Sequence, residues 1–448
     1  MRRCKTPMSP LALALLVLSS LPLATRAQSP AASDGPSVSL SGFGTVGAAI
    51  SDQPWRYQRY IRDRVSMERD TAFGAQADVQ LSPRWSLTVQ ARLAPAVERD
   101  KGWELTPSWA FAAWRPDNEW LLRAGKLRLP FLMRSEQQDL GQTYAEARLP
   151  AEIYTLPPTS DFAGGHVARA WSHGEHDLTV EGYIGNSDLT KRFWVRSAVP
   201  SPVPGQPPVV PAGELYSKVN VSVAGLVLTW RQEALSVRAA VHQARARSAV
   251  GAPMLVSPVW APLGPGIGYW QTSNQMPGPG VQEVSRVRND AVTVGAEWAA
   301  PAGWQLTGEY LYVRQRDTDF GLGGWAGYAT AARSVGAWTP YLTLAAVRSS
   351  RVTAEWRRLL DTTTVPAGVP GAALLDASMQ MRADSLMVLR QDSLAAGASY
   401  RLSPQSRLKV EWLHTRAKQS SLFDLPAGTP LHAPRRVNVL SASYSFAF

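Results

Sequence analysis

The stretch Leu440-Ser441-Ala442-Ser443-Tyr444-Ser445-Phe446-Ala447-Phe448 alternates apolar or aromatic residues with small, mostly polar ones. Period two puts one set on each face of an extended strand. The same pattern recurs upstream. Phe73, Ala75, Ala77, Val79 and Leu81 alternate with Gly74, Gln76, Asp78 and Gln80. Trp85, Leu87, Val89, Ala91 and Leu93 alternate with Ser86, Thr88, Gln90 and Arg92. Val292, Val294, Ala296 and Trp298 alternate with Thr293, Gly295 and Glu297, and Leu408, Val410 and Trp412 with Lys409 and Glu411. No helical period competes over comparable lengths.

Working outward, such segments begin near Ser37, Thr71, Trp85, Pro107, Trp120, Gly164, Asp177, Tyr216, Ala234, Val287, Trp304, Gly323, Trp338, Ser393, Arg407 and Arg435. Short turns at Leu81–Trp85, Arg115–Trp120, His173–Asp177, Gln232–Leu235, Ala300–Trp304, Gly336–Pro340 and Ser403–Ser406 alternate with long loops. Short turns on one side and long loops on the other describe an antiparallel meander crossing a bilayer. Trp85, Trp120, Trp304 and Trp338 flank turns, as an interfacial aromatic girdle requires. The expected fold is therefore all-β: a 16-stranded antiparallel transmembrane β-barrel with long external loops and short periplasmic turns. A soluble β-sandwich shows the same alternation. Against it stand inner faces that read as polar, leaving little for a dry core, and the aromatic strand that closes the sequence.

Composition narrows the alternatives. The 448 residues include a single cysteine, which excludes a disulfide scaffold and a cysteine-rich zinc fold. A hydrophobic fraction of 45% is ordinary, which excludes a disordered chain and a polytopic helical membrane protein. Residues 1–27 read as a secretory signal: Arg2, Arg3 and Lys5 precede an apolar run from Leu11 to Leu23, and Thr25-Arg26-Ala27 offers a cleavage site. Cys4 precedes that run, so a lipoprotein signal does not fit. Cleavage after Ala27 removes Arg2, Arg3, Lys5 and Arg26 and lowers the net charge from +11 to +7. Residues 28–448 then form the barrel domain.

The first strand Leu40-Ser41-Gly42-Phe43-Gly44-Thr45-Val46-Gly47 and the terminal Tyr444-Ser445-Phe446-Ala447-Phe448, behind an export signal, resemble a Gram-negative outer-membrane porin. Gly125-Lys126-Leu127-Arg128-Leu129-Pro130 and Ala147-Arg148-Leu149-Pro150-Ala151-Glu152-Ile153-Tyr154 are similar to a less-studied proteobacterial porin group. The resemblance implies sixteen strands in outer-membrane lipid, periplasmic termini, homotrimers and passive diffusion of small hydrophilic solutes and ions. It implies that Tyr444, Phe446 and Phe448 form the signal read by the barrel-assembly machinery. It also implies that the third loop, Arg134–Gly164, folds inward and narrows the lumen.

Inward charges set the selectivity of a water-filled barrel. Alternation assigns Arg92, Lys126, Arg128, Arg238, Arg401 and Lys409 to the lumen, opposed by Asp78, Glu181, Glu297, Glu309 and Glu411. The third loop adds Glu136, Asp139, Glu146, Glu152 and Asp161 against Arg134 and Arg148. Acids on the loop facing bases on the wall would create a transverse field that orders polar solutes and penalises apolar ones. The same acids could equally solvate a surface loop. The near balance of signs shows no one-sided ladder of a specific anion channel.

Other signals carry no chemistry. His173 and His176 lack zinc-protease spacing, and Gly321-Leu322-Gly323-Gly324 lacks the lysine of a phosphate loop. Basic runs no longer than Arg357-Arg358 and Arg435-Arg436 argue against nucleic acid. No cofactor is implied, no Ser–His pair is identifiable, and no enzyme activity is expected. The proline-rich segments Ala198–Gly213 and Gly251–Gly280 cannot extend the wall and read as surface coverage, with lids or subunit contacts as alternatives. Arg351–Asp384 reads as a further long loop. A substrate-specific channel, a barrel enzyme and an adhesin remain open alternatives.

Overall fold

Segments with one apolar and one polar face cannot all be buried by stacking, but a sheet closed on itself satisfies both faces. In the computed structural model of the chain, which describes residues 36–448, sixteen strands close in that way. They are β1 (Ser37–Ser51), β2 (Ala72–Gln80), β3 (Trp85–Pro95), β4 (Trp103–Trp114), β5 (Trp120–Arg128) and β6 (Asp161–His173). The meander continues through β7 (His176–Val195), β8 (Gly213–Gln232), β9 (Leu235–Ser248), β10 (Val287–Ala300) and β11 (Trp304–Arg316). It ends with β12 (Gly324–Arg333), β13 (Trp338–Ser349), β14 (Leu389–Ser403), β15 (Ser406–Ser420) and β16 (Arg435–Ala447). Each strand pairs antiparallel with its sequence neighbours, and β1 closes the ring on β16. The segment 1–27 lies outside the described residues.

The outward face is apolar. Leu226, Leu228, Val292, Val294, Leu342, Leu344, Val410 and Leu440 are exposed, a belt that a hydrocarbon layer would cover. Among the described residues, no helix is long and apolar enough to cross a membrane. Trp85 and Trp114 stack at one turn-side rim, and Trp338 packs on Tyr400 at another. The seam is drawn tight by glycine. A Cβ at Gly42 would lie 2.3 Å from the Phe448 ring, and one at Gly44 would lie 2.7 Å from Phe446. The two bare backbone positions thus seat the aromatic rings of the last strand. Gly42 and Phe448 also exchange both backbone hydrogen bonds, each at 2.9 Å.

Three expectations are corrected. The turn expected at Gly336–Pro340 occupies 334–337, because Thr339 and Pro340 already pair with β14. The inner face is not uniformly polar: Val221, Val223, Val227, Leu311 and Val313 form a buried apolar stripe along the inside of β8 and β11. The long loops do more than cover the surface. Arg351–Asp384 folds into two helices, α2 (Arg351–Thr362) and α3 (Ala372–Ser385), following a short α1 (Ala151–Tyr154) in the third loop.

Those helices belong to a second packed core above the barrel. Leu360, Leu375 and Met379 bury against Tyr57, Ile61, Tyr269, Phe423 and Leu425 from other loops. The proline-rich Gly251–Gly280 segment contributes a hairpin, Val259–Gly264 with Ile267–Gln271, and Trp270 packs edge-on against Trp356 of α2. The cap is tied down by β7, which runs past the rim. Arg192 holds Asp100 at 2.6 Å and Asp424 at 2.7 Å, and Arg196 holds Asp361 and Asp384, both at 2.6 Å.

Candidate functional site

Between β5 and β6 the chain leaves the wall and crosses the lumen. Leu129 N donates to Ser160 O at 3.0 Å, pinning the mouth of this loop. The expected Arg134–Gly164 boundaries therefore both shift toward the N-terminus, to 129–160. Pro130 and Pro150 interrupt regular structure. Leu129, Phe131, Leu132 and Ile153, each at most 2% exposed, lay an apolar face on the apolar stripe of β8 and β11. Burying each such side chain contributes about 1.5–3 kcal/mol, which holds the loop in place without any charge.

The polar contacts then fix its register. Met133 N and the hydroxyls of Tyr154 and Tyr328 donate to the carboxylate of Glu309, at 2.7, 2.5 and 2.9 Å. Arg238 donates to Pro130 O at 2.7 Å. On the far side, Lys409 donates to the carbonyls of Gly141 (2.5 Å) and Glu146 (2.8 Å), with its ammonium 4.1 Å from the Tyr144 ring centroid. Arg148 clasps Asp70 with contacts of 2.5 and 2.7 Å and reaches Ser441 at 2.6 Å. Burial alone would raise the Asp70 carboxyl, but the Arg148 charge and hydrogen bonds hold it below its ordinary value. Glu152 accepts from Gln391 Nε2 at 2.6 Å and from Ser393 Oγ. Ala147 N donates to the Tyr341 hydroxyl, which donates to Glu411 at 2.8 Å. Gly141 touches the seam so closely that a Cβ there would sit 2.4 Å from Ser445 Oγ.

The opposite edge is open to water. Arg92 and Arg128 both pair with Asp139, the former at 3.0 Å. Arg123 faces Glu136 at 3.4 Å, whereas the Lys126–Asp161 pair, at 3.2 Å, sits on the outward face of β5 and β6. The expected residues thus divide. Arg92, Glu136 and Asp139 keep partial exposure beside the lumen and Lys126 and Asp161 keep it on the outward face, whereas Glu146, Glu152 and Lys409 are at most 4% exposed and the Arg148 side chain 8%. Buried groups of this kind anchor the loop; they do not face a water-filled gap. That corrects the picture of every loop acid facing a wall base across an aperture.

The phase of β5 is a second correction. Lys126 lies opposite Ala110 and Ala163, on the parity of Ala124 and Leu122, whereas Arg123 lies opposite His166 on the other face. Trp120, Leu121 and Leu122 are apolar on both faces, so alternation gave no phase there. Arg128 reaches Asp139 from the end of β5, where pairing with β4 has stopped at Lys126 and β6 alone still holds the strand. Sequence reasoning missed Asp70, Arg123, Tyr328 and Tyr341 as partners of the loop. Asp70 carries no local signal, since it sits in the first long loop. The two tyrosines occupy inward positions that strict alternation could have flagged.

A closed sixteen-stranded barrel with an apolar exterior and a loop crossing its lumen has the architecture of the outer-membrane porins. Comparison with solved structures agrees at the level of fold. A loop L8 deletion mutant of OmpT, an outer membrane protein of Vibrio cholerae, has a TM-score of 0.51 at 11% identity, covering 93% of this chain and 100% of that one. An anion-selective porin from Comamonas acidovorans gives 0.49 at 10% identity (92% and 100% covered). The outer membrane channel DcaP of Acinetobacter baumannii gives 0.49 at 12% (92% and 98%). No family model matches the chain, and no curated protein matches it by sequence.

Proposed function

We propose that the protein is an outer-membrane channel through which small hydrophilic solutes and ions diffuse passively, without catalysis or a cofactor. The observation that carries this reading is the loop 129–160 latched across the lumen, with the charged pair of Arg92 and Asp139 at its edge partly exposed to water. Opposed charges at a narrowing favour polar solutes that keep their hydration and oppose apolar ones. Export through residues 1–27, assembly as a homotrimer in the outer membrane, and recognition of Tyr444, Phe446 and Phe448 by the barrel-assembly machinery complete the proposal. The uncharged outward face of β1–β4 supports the subunit contact.

Single-channel recording of the refolded protein in a planar bilayer, with a KCl gradient, tests it. Discrete ohmic steps are expected, and the sign of the reversal potential reads the ion preference. Silence from a verified, heat-modifiable barrel would overturn the open channel. A substrate-specific channel is a second reading, favoured by the packed cap of α2, α3 and the Val259–Gln271 hairpin. Flux that saturates and is competed by one solute would select it.

A further inference from the structure

The chain has six histidines, and four of them have polar company. His166 lies 3.0 Å from Glu181, His242 2.7 Å from the Tyr183 hydroxyl, His414 2.8 Å from Asn438 and His432 3.7 Å from Asp361. The remaining two, His173 and His176, make no hydrogen bond or ion pair among the described residues. His176 only stacks on Trp230, with ring centroids 5.7 Å apart and planes at 21°. That face-on contact leaves both ring nitrogens free.

The two histidines close the β6–β7 hairpin. Gly174 and Glu175 form its two-residue turn, with Gly174 at a φ of 60°, the left-handed conformation such turns favour at their first central position. His173 and His176 are therefore direct cross-strand partners. Directly opposed residues stand about 5 Å apart at their α-carbons and send their side chains to one face. Here it is the outward face, shared with Trp171, Leu178 and Trp230. Ser172 and Asp177, bonded to each other at 2.6 Å, occupy the inward one. Both histidines are exposed. Two residues beyond Trp171 along a tilted strand, they stand about 5 Å past that indole toward the turn-side water.

This geometry suits a metal ion. Bonds of about 2.0–2.1 Å at a tetrahedral centre ask for two imidazole nitrogens about 3.3 Å apart. Exposed rings rooted about 5 Å apart reach that spacing by side-chain rotation alone. Among the described residues no group of three or more His, Cys, Asp or Glu converges on a point, so a closed structural cage is excluded. Two imidazoles leave the other positions to water. Neutral imidazole suits Cu2+ and Zn2+, with Cu2+ the tighter of the two, whereas Mg2+ and Ca2+ take oxygen ligands. A spacing that fits no zinc-protease motif thus fits the two sides of a tight hairpin.

We propose that His173 and His176 form a two-imidazole site for a divalent transition metal, Cu2+ ahead of Zn2+, on the turn-side rim of the barrel. The site depends on the β6–β7 hairpin and not on conduction. The full-length refolded barrel in detergent is dialysed against Cu2+ in the presence of a chelating dye, and electron paramagnetic resonance counts the nitrogen ligands. A Cu2+ ion held by two imidazole nitrogens is expected, displaced by Zn2+ and not by Mg2+. H173Q and H176Q should each weaken uptake on the order of 100-fold, because the second ligand no longer binds intramolecularly. H432Q, at a loop histidine, should change nothing. Both hairpin positions are exposed, and heat-modifiable migration on gels verifies that each variant is folded. Unchanged uptake in H173Q/H176Q would place the metal elsewhere and overturn the proposal. A loss in only one single variant, or a spectrum with one nitrogen ligand, would reduce the site to a lone imidazole and overturn the pair.

Discussion

Replacing Arg148 by methionine should release one edge of the loop that crosses the lumen. The Arg148 and Asp70 side chains are 8% and 7% exposed, and the guanidinium also reaches Ser441. Removing one partner of a buried pair leaves the other charge uncompensated and costs about 3–5 kcal/mol. Taking about 3 kcal/mol, the ratio of docked to undocked loop falls by roughly 150-fold, since each 1.4 kcal/mol is tenfold. Hydrogen exchange at Ala147, whose amide donates to Tyr341, should accelerate by that factor, while the barrel strands keep their protection. Current through single channels should become noisier. The double variant R148M/D70L, with neither charge present, should recover most of the protection, giving a coupling of at least about 2 kcal/mol. The latch also has a pH signature. Because Asp70 is depressed in the folded state, its contribution is complete above the unfolded carboxylate value and fades as pH falls through the lowered value, that is, below about pH 4. Unchanged Ala147 exchange in R148M, or simple additivity of the two single changes, would refute the latch.

Further outcomes follow from other contacts. K409M leaves the carbonyls of Gly141 and Glu146 without their donor and should weaken loop docking by about 2–3 kcal/mol; single-channel conductance should rise while heat-modifiable migration on gels is retained. G44L drives a side chain into Phe446 and Phe73 and should abolish that heat-modifiable form, whereas V203A in an exposed loop should not. The Asp100 carboxyl would be raised by burial, but hydrogen bonds from Arg192, Tyr216 and Arg59 and the Arg192 charge bring it down to about 2. Being depressed, it should keep stabilising the cap from neutral pH until acid approaches pH 2, as followed by tryptophan fluorescence of Trp55 and Trp194. D100N should move that acid transition to higher pH.

The barrel was legible because alternation needs no partner to be read: each strand carries its own inside and outside. All sixteen strands lie where period two places them, and inward Arg238 and Glu309 meet the loop at Pro130 and Met133. What stayed hidden depended on company. Trp120-Leu121-Leu122 has no phase of its own, so Lys126 was assigned to the wrong face and Arg123 overlooked. The apolar inner residues Val221, Val223 and Val227 alternate with the equally apolar Leu226 and Leu228 outside, which conceals a stripe meant for the loop. Helix α2 did leave a trace: Ser350 caps Thr353 N at 3.1 Å, and Val352, Trp356, Leu359 and Leu360 recur at helical spacing. Helix α3 left less, because its apolar residues are spread around the axis and it is held by neighbours instead. The site's acids and bases were found by type, but whether each faces water or is sealed in depends on packing that one strand cannot announce.

The glycine-seated seam has a kinetic consequence. Every other pairing in the ring joins neighbours along the chain, whereas Thr45 meets Ser445 across 400 positions. Bringing the two ends of so long a segment together costs about 5 kcal/mol of chain entropy, against about 1 kcal/mol for a short hairpin turn. Contacts that distant form late, so β1 and β16 remain open edges while the rest of the sheet is already paired. Unpaired edges invite foreign strands. The rings of Phe446 and Phe448, settling onto Gly44 and Gly42, hold that slow and exposed encounter once it is made, and folding speed should respond to changes at these glycines more than at any turn.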